Sequence, residues 1–120
     1  MFCIYVILLA VTMATTPVLA TLSLNCHGFH NGTVNYLRRV AIDLDFVLLQ
    51  ETWQCDATVH RLTDSMDGYL VLHSSAMEHK LSEGIHLGRP FGGTAVLINK
   101  RLSKFIHPIV TDNPRVTSLL

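Results

Sequence analysis

Residues Phe46–Trp53 read FVLLQETW. The first five are uncharged and mostly branched or aromatic, which predicts a strand covered on both faces, and the run stops abruptly at the polar pair Gln50 and Glu51. Upstream, TLSLN (Thr21–Asn25) is a second β-rich run, and it stops at CHGFHNG, a loop holding Gly28 and Gly32. Between the two, Thr33 is suited to cap a helix whose apolar positions Val34, Leu37 and Ala41 recur at helical spacing, with Arg38 and Arg39 on the wet side. Strand, helix, strand in that order predicts parallel neighbours joined by a crossover.

Downstream the alternation continues. Asp56 is placed to cap a second helix with Val59, Leu62 and Met66 inward, and YLVLH (Tyr69–His73) follows as a strand. A polar stretch from Ser74 to Pro90 reads as a loop; GGTAVLIN (Gly92–Asn99) reads as a buried strand and KFIHPIV (Lys104–Val110) as another. Asp112, Asn113 and Pro114 form a turn before a final strand beginning at Arg115. The order of elements is that of an α/β fold.

The 120 residues are 49% apolar and 15% charged, with a mean hydropathy of +0.36, which excludes a disordered polyelectrolyte and suits one domain. Nine basic side chains balance nine acidic ones, so no overall basicity steers the chain to a polyanion. The charges are nevertheless segregated: acids dominate from Asp43 to Asp67, and bases from Lys80 to Arg115. That suits a metal-dependent enzyme acting on a polyanion, and equally two solvated surfaces. Cys3, Cys26 and Cys55 are an odd number with no CxxC pair, against a disulfide framework.

No charged side chain precedes Arg38. Met1–Ala14 (MFCIYVILLAVTMA) is shorter than the ~20 residues that span a bilayer, and TTPVLA after it offers Val18 and Ala20 to a signal peptidase. Residues 1–20 therefore read as a leader-like segment outside the fold, lacking the usual basic start. Extension through Leu24 as a membrane helix is the competing reading, against which stand Pro17 and the threonines around it, and an accidental upstream extension is a third. Residues 21–120 form the globular part.

In sheets of this kind ligands bind beyond the carboxyl ends of the strands, and Asn25 and Glu51 stand at two such ends, ~5 Å apart if the strands are neighbours. A carboxylate is the hard oxygen ligand Mg²⁺ prefers, and Mg²⁺ is commonly held by one or two carboxylates plus water and phosphate oxygens. The Asn25 amide can bind a phosphate oxygen or a metal-bound water without adding charge. An exposed strand-end carboxylate and a turn cap are the plainer readings of the same two residues.

Three stretches taken together carry a family likeness. SLNCHG (Ser23–Gly28), FVLLQETW (Phe46–Trp53) and GRPFGGTAVLI (Gly88–Ile98) resemble the endonuclease/exonuclease/phosphatase superfamily, the DNase I-like fold, and within it the endonuclease domain of non-LTR (LINE-type) retrotransposons. The likeness runs over residues 21–120 in order. Its most specific piece is Gln50-Glu51-Thr52 after an apolar strand, and GRPFGGTAVLI is what points to retroelements. It implies the first half of a four-layer α/β sandwich, a mixed sheet with helices on one face, and hydrolysis of a DNA phosphodiester with Mg²⁺, for which Mn²⁺ can substitute. Glu51 matches the family's metal-binding glutamate and Asn25 its active-site asparagine, both at the metal; His27 stands where many repair relatives carry an acid. The family's later tyrosine, Asp-x-Asn and Asp-His motifs find no match in these residues, so the chain reads as an N-terminal part, inactive alone, whose inner sheet face would lack its packing partner. DNA is the implied partner of the full domain; no stable protein partner is inferred, and residues 1–20 leave membrane association open. Localisation stays open: the resemblance implies an intracellular or nuclear place, whereas the N-terminus resembles a weak secretory signal. A non-catalytic relic or binding module and a secreted DNase I-like fragment are the alternatives.

Weaker patterns complete the reading. Cys26-x3-His30 and Cys55-x4-His60 could be drawn as a zinc site, although the spacings match no standard finger. Asn31-Gly32-Thr33 is a glycosylation sequon, relevant only to a secreted chain. Trp53 reads as packing over the sheet end in preference to stacking on a base, and Lys100, Arg101 and Lys104 as phosphate contacts or a solvated turn.

Overall fold

A computed structural model describes residues 18–84, 88–110, 112–113 and 117–120. Its centre is a four-stranded mixed sheet in the order β1 (Thr21–Asn25), β2 (Phe46–Gln50), β4 (Thr94–Asn99), β3 (Tyr69–Ser74). β1 and β2 are parallel, with Thr21 opposite Phe46 and Asn25 opposite Gln50, as a strand–helix–strand crossover requires. β4 runs antiparallel to both β2 and β3, with Thr94 opposite Gln50 on one side and Ser74 on the other. The fold is thus α/β with a mixed sheet.

Period-two alternation divides the side chains of the central strands between two cores. On one face Val47, Leu49, Ala95 and Leu97 pack beneath α1 (Asn31–Val40) and α2 (His60–Ser65), which contribute Leu37 and Leu62, with Ala41 and Met66 just beyond their ends. On the other face Phe46, Val96 and Ile98 meet Leu102, Ile106 and Leu119. β4 is buried along five of its six residues because it is central and covered on both sides.

That second core differs from the expectation of an uncovered inner face. Residues after β4 fold back over the sheet: a 3-10 helix, Lys100–Phe105, leads into β5 (Pro108–Ile109), which pairs antiparallel with β6 (Ser118–Leu119). Leu119 is 5% exposed, and Phe46 and Ile98 beneath it are 3% and 0% exposed. A buried Thr94 Oγ1–Thr117 Oγ1 hydrogen bond of 2.9 Å ties this cover to β4.

Several element boundaries move for identifiable reasons. α1 begins at Asn31, because the ring of His30 accepts the Gly32 N–H at 3.2 Å and serves as its cap. Thr33 is instead buried inside the first turn, its hydroxyl donating to the Gly28 carbonyl at 3.3 Å. Asp56 caps nothing. Its N–H goes to Glu78 Oε1 at 2.6 Å and its carboxylate to His73 Nε2 at 3.1 Å, while Thr58 Oγ1 accepts the Cys55 N–H in a local turn. Those turns occupy the backbone, so α2 starts only at His60, after Val59 and without a side-chain cap. The stretch read as a loop from Ser74 holds a short α3 (Glu78–Ser82). Where KFIHPIV was expected to form a strand, Asn99 Oδ1 accepts the Arg101 N–H at 3.2 Å and starts the 3-10 helix, leaving a two-residue strand.

Most of the leader-like segment lies outside the described residues, as does the 114–116 part of the last expected turn and strand. Ala20 lies within the fold: its carbonyl accepts the N–H groups of Asp45 and Phe46 at 2.8 and 3.3 Å. The fold therefore includes the last residue of that segment.

Candidate functional site

The carboxyl ends of β1 and β2 open into two loops laced together by backbone bonds. Cys26 N–H donates to Gln50 O, Gly28 N–H to Glu51 O and Phe29 N–H to Thr52 O, at 2.8, 2.8 and 2.9 Å. The loop before β4 closes the other side, with Thr52 N–H donating to Gly93 O at 3.2 Å and Trp53 N–H to Gly92 O at 2.9 Å. FVLLQETW and GRPFGGTAVLI, far apart in sequence, therefore meet at one point because β2 and β4 pair antiparallel.

The backbone here is strained. His27, Glu51 and Trp53, at φ +47°, +52° and +56°, are all the non-glycine residues with positive φ among the described residues. Left-handed non-glycines cost of order 1–3 kcal/mol each and persist where surrounding contacts over-determine them, typically at functional sites. Two glycines answer a packing need. A Cβ on Gly28 would lie 2.5 Å from Trp53 Cε3, and one on Gly93 2.6 Å from Thr52 Oγ1.

Glu51 is half-buried, and its Oε2 accepts two hydrogen bonds, from the Trp53 indole Nε1–H at 3.2 Å and the Gly92 N–H at 3.1 Å. No hydrogen bond engages Oε1 among the described residues. Asn25 is exposed, and its Oδ1 accepts the His27 N–H at 3.0 Å, which leaves the amide NH₂ as a donor. The His27 ring is tilted at 56° to Trp53 with centroids 4.9 Å apart. Asn25 and Glu51 thus stand at the ends of adjacent parallel strands, offset by one residue in register.

The donor set can be tested against the implied cation. Among the described residues, no group of three or more His, Cys, Asp or Glu side chains is arranged to hold a metal. A single hard carboxylate oxygen with an amide nearby nevertheless fits Mg²⁺, which keeps most of its water and needs no all-protein cage. The four residues drawn as a zinc site are otherwise placed, with Cys55 Sγ 3.5 Å from Thr58 Oγ1. Cys26 is buried among the core side chains beneath α1, away from the surface, and burial pushes its thiol up to about 11. His30 accepts from Gly32, and His60 Nδ1 lies 3.1 Å from Ala57 O.

Arg101, read as a phosphate contact or a solvated turn, pairs with the buried carboxylate of Asp45, and Lys104 Nζ sits 4.9 Å over the Phe105 ring. Gly92, and the indole N–H of Trp53, are the parts of the site that sequence reading passed over. The doubled glycine before β4 was the signal for Gly92, since glycine there marks a close backbone approach; nothing in the sequence marks the indole contact.

No protein-family model, curated protein or solved structure matches the chain.

Proposed function

We propose that the chain is the N-terminal part of a Mg²⁺-dependent, DNase I-like DNA endonuclease domain of the non-LTR retrotransposon type. The observation that carries the reading is the carboxylate of Glu51, fixed through one oxygen at the mouth of the parallel β1–β2 pair, with the Asn25 amide on the next strand. In this reading Glu51 holds the ion and Asn25 donates to a phosphate oxygen of DNA or to a metal-bound water. The ion, when bound, supplies Lewis-acid polarisation of the phosphate and a more acidic water. The protein's own contribution is to fix both groups on rigid strand ends before substrate arrives.

In this reading the 120 residues alone are not expected to cleave DNA. Hydrolysis also needs a base for the water's proton, a contribution of ~10²–10⁴-fold, and the likeness offers none in this chain. One carboxylate also leaves the ion mostly hydrated and weakly held. Two measurements test the reading. Mn²⁺ added to ¹⁵N-labelled protein is expected to broaden resonances around Asn25 and Glu51–Trp53 first, and to lose that pattern in Glu51→Ala; broadening centred elsewhere removes the metal assignment. In a supercoiled-plasmid assay no Mg²⁺-dependent nicking is expected. Nicking that disappears in Glu51→Ala would mean that the site is complete without further motifs.

A further inference from the structure

We infer that Trp53 is a positioning residue for Glu51: its indole N–H and the Gly92 amide together hold Oε2 and so direct Oε1 outward as the ligand oxygen. This deepens the metal-site reading above and rests on it for the identity of the ligand, but not for the clamp itself.

Three observations converge on it. The two donors reach the same carboxylate oxygen at 3.2 and 3.1 Å, from a side chain two residues away and a backbone 41 residues away. The indole is itself held. The backbone N–H of Trp53 donates to Gly92 O at 2.9 Å, so Trp53 and Gly92 are tied to each other as well as to Glu51. One edge of the ring lies where a Gly28 Cβ would stand, 2.5 Å away, and His27 sits 4.9 Å from it, ring centre to ring centre. Finally, Glu51 and Trp53 both adopt positive φ, at +52° and +56°, a backbone that non-glycine residues keep only where surrounding contacts over-determine it. Packing over the sheet end explains a large aromatic ring at Trp53. It does not explain an indole nitrogen on the carboxylate.

Hydrogen-bonded partners of a ligating carboxylate orient it, and their loss typically costs 10–100-fold in metal affinity. Trp53→Phe keeps a ring against Gly28 and deletes the N–H. It is expected to leave the circular dichroism spectrum unchanged and to weaken Mn²⁺ binding roughly tenfold. A purely packing role would leave the Mn²⁺ affinity of Trp53→Phe equal to that of the wild type, and that result overturns the inference.

A second arm needs no metal. Trp53 is the sole tryptophan, so the protein has one indole N–H resonance. It should be protected from solvent exchange in the wild type, shifted and fast-exchanging in Glu51→Ala, and restored in Glu51→Gln, whose amide oxygen still accepts. An indole resonance indifferent to Glu51→Ala would also overturn the inference. If the indole responds as expected while the wild type binds no Mn²⁺ at this place, the clamp stands and the metal reading fails.

Discussion

The backbone N–H of Ala20 donates to Asp45 Oδ2 at 2.8 Å, and the N–H of Asp45 returns to the Ala20 carbonyl at 2.8 Å. This reciprocal pair fastens the start of β1 to the start of β2. Asp45 is 5% exposed, and its other oxygen takes the Arg101 guanidinium from the 3-10 helix after β4. One buried carboxylate thus joins three segments of chain, and cleavage between Ala20 and Thr21 would remove one of them.

That carboxylate makes stability depend on acid. The Arg101 hydrogen bond, then the Ala20 amide, hold the Asp45 carboxyl below its usual range despite its burial. A group lowered in the folded state contributes stability above its unfolded value, about 3.9, and loses that contribution as the pH falls through the lowered folded value. Melting temperatures of the wild type and Asp45→Asn should therefore differ by a constant amount from pH 5 to 7, with the wild type higher, and converge below about pH 4. A gap that widens in acid would contradict the assignment.

Gly28→Ala tests the packing behind the site. The residue sits at φ +95°, and a Cβ would meet Trp53 Cε3 at 2.5 Å, so both backbone and ring must shift. Overpacking of this kind costs about 2 kcal/mol, or a fall in melting temperature of about 10 °C for a domain this small. Gly68→Ala, where a Cβ would have nothing within 4 Å, is the control and should cost far less.

The cysteines should separate chemically. Burial raises the Cys26 thiol to about 11, whereas Cys55 is partly exposed. Iodoacetamide at pH 8 is expected to label Cys55 well before Cys26, since thiolate and not thiol is the nucleophile, and peptide mass spectrometry reads the order. The sign for stability is opposite to that of Asp45: a raised value contributes below pH 9 and is lost as the pH climbs through about 11.

The helix-covered core should be the costly one to hollow out. Leu37 has no exposed surface, and Leu37→Ala should destabilise by about 2–5 kcal/mol in urea titrations. Val110, at 94% exposure, should tolerate alanine within about 0.5 kcal/mol. Equal costs at the two positions would mean that α1 does not pack as described.

The sequence by itself determined the four strands of the central sheet, the two helices that cover it and where β1 and β2 end, but not α3 or the 3-10 helix after β4. Those are local properties: FVLLQ has no way to hide its side chains except between two layers, and a polar residue directly after such a run stops burial. Asn25 and Glu51 were legible for the same reason, as polar residues at strand ends. Helix starts at Thr33 and Asp56 were misread because a cap depends on which partner a side chain finds. Thr33 is drawn inside by Gly28 O, and the Asp56 carboxylate meets His73 while its backbone N–H goes to Glu78. Only the tertiary structure decided the sheet order and, with it, the surroundings of Glu51. Insertion of β4 beside β2 brings Gly92 to the carboxylate from 41 residues away, and the indole of Trp53 meets the same oxygen where Glu51 and Trp53 both leave extended backbone. The doubled glycine marks a close approach before β4, but its partner, like the indole contact, exists only when three loops converge at one end of the sheet.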